Sequence, residues 1–275
     1  MQPAGHFAEQ FSAFAVDVAR LCAWLVLLAA VFVPLEHFWA GHPRRGGRRS
    51  VLSDLIYYFL SGFVPKLLLA VPVAFAAAAF HLLVPGGWYA RAALLPVWFR
   101  LLAGLVVGDA GAYWGHRWSH EIPLLWRFHS LHHSAEDIDW LVNTRAHPLD
   151  MFFTRFCGLV PMYAIGLAQP MGNRFDTVPV IAALIGTMWG FFIHANLSWR
   201  FGPLERIVAS PAFHHWHHTN DGPEALDKNY AALLPCMDLI FGTFHLPPDR
   251  LPGKYGTDTP VPARVAEQLL GPLLP

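Results

Sequence analysis

Histidine is the residue type through which this sequence offers chemistry. It fills sixteen of 275 positions, about 6%, and eleven of those lie between residues 116 and 218. GHRWSHE places His116 and His120 four apart, one helical turn apart on one face. FHSLHHS sets His129, His132 and His133 at i, i+3 and i+4. FHHWHHT repeats that pattern with His214, His217 and His218, and leaves His215 off the shared face. Neutral imidazole binds iron, zinc, copper and nickel. Two imidazoles a turn apart can clip one ion, and a third at i+3 can reach a second ion. At this histidine frequency chance supplies roughly 0.05 HxxHH motifs per chain, and here there are two.

Other residues join these boxes with two readings each. His194 closes an apolar run, where an ionisable group is functional by default, and reads as a ligand. His147, in TRAHPLD, is either a further ligand or a satisfied polar residue. His6, His37, His42, His81 and His245 stand alone and read as surface, interfacial or hydrogen-bonded residues. Asp109 lies two helical turns before His116. It either accepts the second ring N–H of a ligand, or caps a helix end or pairs with Arg117. Asp137, one turn beyond His133, has the same two readings, and Asp227 and Asp238 are weaker candidates. An interfacial aromatic belt accounts for Trp114, Trp118, Trp126 and Trp216. Zinc hydrolysis would want an HExxH motif, and Glu121 after His120 belongs to none.

The elements that position these residues are apolar. Hydrophobic residues make up 55% of the chain and charged residues only 14%, against about 25% in soluble domains. Nineteen basic residues balance nineteen acidic ones, which excludes a basic field for gripping nucleic acid. Cys22, Cys157 and Cys236 are scattered, so neither a disulfide framework nor a thiolate metal site is indicated. Leu21 to Phe38 reads as a first membrane span rather than a signal peptide. Arg44, Arg45, Arg48 and Arg49 follow it and place their loop on the cytoplasmic side. Val51 to Leu60 reads as an interfacial lead-in, with Asp54, Tyr57 and Tyr58 at headgroup depth. A span from Lys66 to Leu83 follows, kinked at Pro65 and Pro72, with a re-entrant pair as the alternative. Ala92 to Trp114 returns, and Met151 to Ala168 and Val178 to Leu197 form a second pair joined by QPMGNRFDT. By parity every histidine box emerges on the cytoplasmic face.

The expected fold is therefore all-α: a polytopic helical membrane protein with about four to five transmembrane helices. A cytoplasmic, histidine-rich helical cap would hold a dinuclear metal centre. The expected division is 1–50, an N-terminal span with its Arg-rich loop; 51–247, the membrane domain; and 248–275, a Pro-rich cytoplasmic tail.

The order HxxxH, HxxHH, a lone histidine, then HxxHH resembles the fatty acid hydroxylase superfamily. HRWSHEIPLLWRFHSLHHSAED, RAHPLD, FGPLERIVASPAFHHWHHT, DKNYAALLP and MDLIFGTFHLP extend that resemblance over Ser53 to Pro247. It implies two non-haem irons on the cytoplasmic face, O2 as co-substrate, and hydroxylation or desaturation of a lipid in the bilayer. Carried over, the ligands are His116, His120, His129, His132, His133, His194, His214, His217 and His218. Ser198 stands where some 2-hydroxylases of the superfamily complete a further HxxxH, which favours the sterol desaturase and alkylglycerol monooxygenase branches. PGGWY lacks the preceding haem histidine of a fused cytochrome b5. Electrons are thus expected from a separate cytochrome b5-, ferredoxin- or reductase-like partner, in a bacterial inner membrane. A competing reading from another class is a membrane carrier or sensor for zinc or iron. Transporters tend to put ligands at the bilayer midplane, and these boxes lie beyond the apolar runs.

Overall fold

The computed structural model describes residues 3–43, 50–168, 176–248 and 250–274, with side chains from residue 13 onward except 65 and 66. The four clustered arginines and most of the QPMGNRFDT loop lie outside the described residues. All the described regular structure is helical, joined by two isolated β-bridges. In order the helices are α1 (Pro3–Phe38), α2 (Val51–Leu83), α3 (Gly86–Ala93), α4 (Val97–Glu121), α5 (Pro123–His133), α6 (Pro148–Ala164), α7 (Val178–His194), α8 (Pro211–His217), α9 (Cys236–Phe241) and α10 (Val265–Leu270).

Among the described residues, two helices are long and apolar enough to cross a membrane, Ala13–Phe38 within α1 and all of α2. A third span arises if α3 and α4, bent by 117° at their junction, count as one. At 17 residues each, α6 and α7 sit at the short end of spanning length. The chain is a helical membrane protein, and the expected four to five spans are reached only by counting these two. The apolar helices leave Leu67, Phe75, Leu82 and Leu94 exposed, as a lipid-facing surface requires.

Two local expectations change. The helix α2 runs continuously through Pro72, so the re-entrant pair is not present within it, and the bent pair is α3–α4 instead. In its first turns the polar groups face inward, each with a protein partner, while Val51, Leu52 and Ile56 are exposed. Asp54 and Tyr57 are fully buried. Asp54 pairs with Arg145 at 2.9 Å, Tyr57 donates to Gln268 and Tyr58 to the Leu21 carbonyl. Trp216 is likewise fully buried and belongs to no interfacial belt; its indole N–H meets the Arg250 carbonyl.

Prolines set where the site-bearing helices begin. Pro123, Pro148 and Pro211 occupy first positions of α5, α6 and α8, where their missing N–H costs nothing. Against α6, α4 approaches closely enough that a Cβ on Gly111 would lie 2.2 Å from the Cys157 carbonyl oxygen. Only glycine permits that contact, and it brings the end of α4 over the start of α6. Leu28 and Phe32 of α1, Tyr58 of α2, Phe191 of α7 and Trp140, which opens the short 3-10 turn Trp140–Thr144, form one hydrophobic core. The tail does not trail away: α10 docks by Gln268 on Tyr57 and by the Leu269 carbonyl on His147.

Candidate metal centre

Nine histidines converge in two groups. His116, His120, His129, His133 and His217 form the first, and His132, His194, His214 and His218 the second. Within each group one nitrogen of every ring lies within 4.8 Å of the others. The assignment follows helical spacing. Partners at i and i+4 share a group (His116 with His120, His129 with His133, His214 with His218), while each i+3 residue, His132 and His217, crosses to the other. The second and third boxes are thus interlocked, each giving two rings to one group and one to the other.

What turns the rings inward is a set of acceptors behind them. Nδ1 of His116 meets the Tyr230 carbonyl at 2.7 Å, and that of His217 the Lys228 carbonyl at 2.8 Å. Nδ1 of His132 meets the Arg145 carbonyl at 3.1 Å, and that of His194 the Gly190 carbonyl at 2.7 Å. Asp150 and Asp227 accept from His129 and His120, each at 3.0 Å. These oxygens only accept, so in six rings Nδ1 carries the proton and Nε2 presents a bare lone pair.

Those lone pairs face one another. Nε2 of His132 lies 3.2 Å from Nε2 of His194, which lies 3.0 Å from that of His214. Burial and then the neighbouring His129 push His132 down to about 3, so it holds no second proton at neutral pH. His133, His214, His217 and His218 are also held well below the ordinary histidine range, by burial first and next by the neighbouring His120, His194, His116 and His133 respectively. Two bare lone pairs at this distance repel. Nε2 of His133 and of His217 are buried with no partner at all. A cation in each group resolves both defects, since nitrogens about 2.0–2.2 Å from one ion lie about 3 Å apart. The residues present fit two metal ions.

The loop behind the first group is built for aiming. Asp227 and Asn229 adopt left-handed backbone, with φ 56° and 58°, which points the Lys228 and Tyr230 carbonyls at His217 and His116. Asn229 is fully buried and ties the loop to the Phe213 and His245 carbonyls. Asp238 accepts from the Tyr230 and Ala231 amides. Asp109 accepts from the Leu233 and Leu234 amides at 3.2 and 2.9 Å rather than from a histidine. Asp137 is exposed and bonds to no ring of either group. His147 caps α6, accepting from the Leu149 amide and donating to Leu269; it belongs to neither group. His215 bonds to the Ala195 carbonyl and the Tyr255 hydroxyl.

Sequence reasoning missed Asp150. It is buried, faces His129 from the first turn of α6, and lies three residues beyond His147 in RAHPLD. A carboxylate just inside a Pro-initiated helix beside the boxes was the available signal. Arg145 was also missed. Its side chain is fixed by Asp54 and Ser134 while its carbonyl orients His132.

Residues 101–243 match the model of the fatty acid hydroxylase family, just over half of the chain. An ornithine lipid hydroxylase, OlsE, from Rhizobium tropici is 36% identical over 65% of this chain and 50% of its own length. Human alkylglycerol monooxygenase is 31% identical over 60% of this chain and 34% of its own, and Arabidopsis thaliana methylsterol monooxygenase 2-2 is 25% identical over 70% and 67%. No solved structure matches. The chain spans half or less of the length of the first two relatives. A helical membrane scaffold with paired histidine groups defines the class, and the chain belongs to the fatty acid hydroxylase family.

Proposed function

We propose that this protein is a membrane oxygenase with two non-haem irons that hydroxylates or desaturates a lipid. O2 and two electrons from a separate donor of cytochrome b5, ferredoxin or reductase type would be consumed. The nine clustered imidazoles, seven of them buried, with lone pairs turned onto two shared points, carry this reading. Five and four nitrogen donors in two neighbouring groups exceed the single closed tetrahedron of structural zinc. When bound, iron supplies activation of O2 and abstraction at an unactivated C–H bond. The protein's part is to hold neutral donors in fixed tautomers, by six acceptors behind the rings, and to keep water from the buried second group.

The named activities of the relatives, on ornithine lipid, alkylglycerol and methylsterol, support a lipid substrate. We place the site at the cytoplasmic face of a bacterial inner membrane, because the four-arginine loop favours that side. Asp150 is assigned to His129 and Asp227 to His120 as the carboxylates that tune the donors.

The test is lipid mass spectrometry on membranes containing the full chain, supplied with reductant and O2. Gain of one oxygen, or loss of two hydrogens, on one lipid class is expected, and it should vanish without O2 and in His133→Ala. Unchanged lipids together with metal movement across sealed vesicles would instead establish the carrier reading.

A further inference from the structure

We propose that Tyr255 is a positioning residue for the second histidine group, acting through His215. The inference rests on the two-metal reading above. His215 sits inside the third box yet points away from both groups, and it is completely buried. Its Nε2 lies 2.9 Å from the Ala195 carbonyl oxygen. A carbonyl only accepts, so Nε2 carries the proton and Nδ1 is bare. The Tyr255 hydroxyl lies 3.1 Å from that Nδ1 and must donate to it. The same hydroxyl lies 3.0 Å from Nε2 of His42 and, its one proton being used, accepts there. One directed chain of hydrogen bonds runs from His42 through Tyr255 and His215 to Ala195.

That chain joins the segments that carry the second group. Ala195 directly follows His194, His214 directly precedes His215, and His218 lies one turn on. Three of the group's four rings therefore sit on the two stretches that His215 ties together. Tyr255 is held for this task by its neighbours. Thr219 and Tyr255 form a β-bridge, the Asn220 amide meets the Lys254 carbonyl at 2.8 Å, and Asp221 accepts from the Gly253 and Lys254 amides at 2.7 Å each. Removing the hydroxyl leaves a buried Nδ1 unpaired, and the His215 ring is then held by the Ala195 carbonyl alone, on one side only. Residue 255 lies beyond the family match, which ends at 243. The tail that composition marks as an appendage thus completes the support of the site.

Tyr255→Phe tests this in the full chain, purified in detergent and loaded with iron or with cobalt(II) as a spectroscopic probe. Metal release into excess chelator is timed well below the melting temperature. The expected result is about tenfold faster release of one of the two ions, with a changed cobalt absorption band and the other ion unaffected. Asp258→Asn loosens the same tail at Asn220 and Lys254 without touching His215, and should leave release and spectrum as in the unmodified protein. Equal release from Tyr255→Phe and the unmodified protein overturns the role, and so does equal acceleration by Asp258→Asn. An unmodified chain that holds no metal overturns the two-metal reading and this inference with it.

Discussion

In the first histidine group two of five rings lean on carboxylates, His129 on Asp150 and His120 on Asp227. In the second group the partners behind His132 and His194 are backbone carbonyls, and Nδ1 of buried His214 has none. Both arrangements fix a ring and its tautomer, but a carboxylate also adds negative charge and raises the basicity of the imidazole. The first group also reaches the protein surface, with His116 and His120 part-buried, whereas all four rings of the second are buried. Two ions held by the same side-chain type would therefore sit in different electrostatic settings. One is charge-compensated and near solvent; the other is held by dipoles in a dry interior.

Removing a carboxylate should break that asymmetry. Asp150 is buried beside a buried partner, so its charge is poorly screened. Asp150→Asn should weaken one of the two metals by about 10- to 100-fold and spare the other, as read by stepwise chelator titration. Equal loss of both ions would mean that the groups are not electrostatically distinct.

Acid probes both groups at once. In the metal-free chain His132 stays unprotonated down to about 3, while the unfolded chain takes up protons near the ordinary histidine value of 6.5. The unfolded state then binds more protons, so stability falls as pH drops through that window, by about 1.4 kcal/mol per pH unit for each such ring. Chelator-treated protein should melt at progressively lower temperature from pH 7 to pH 5, and a flat profile would contradict neutral, buried rings. The smallest effect belongs to Asp227, whose side chain is 66% exposed. Asp227→Asn should change metal affinity only a few-fold at low salt and less at high salt. An effect as large as that of Asp150→Asn would show that exposure does not separate the two carboxylates.

Much of this arrangement was legible because it is local. The i, i+3, i+4 spacing of His129, His132 and His133 dictates which rings share a helix face, and the structure divides the nitrogens along that spacing. His194, isolated in sequence, joins because an apolar helix ends at it. What sequence could not specify is what stands behind the rings. Backbone carbonyls at Tyr230, Lys228, Arg145 and Gly190 carry no side-chain signature. Asp109, two turns from His116 along one helix, looked like the nearer carboxylate. The close α4–α6 contact at Gly111 instead brings Asp150 of another helix to the rings, and the loop after Asp227 claims Asp109 through its amides. Membrane span count was obscured for a similar reason: α2 is long and apolar, yet its first turns bury Asp54, Tyr57 and Tyr58 against protein while Leu52 stays exposed.

On the proposed reading two ions sit between these interlocked boxes. Metal content by elemental mass spectrometry, on detergent-purified protein and on His132→Ala and His217→Ala, tests it most directly, because those i+3 residues cross between the groups. Two irons per chain are expected, with metal lost in both variants. A single loosely held zinc, or metal content indifferent to either substitution, would contradict it.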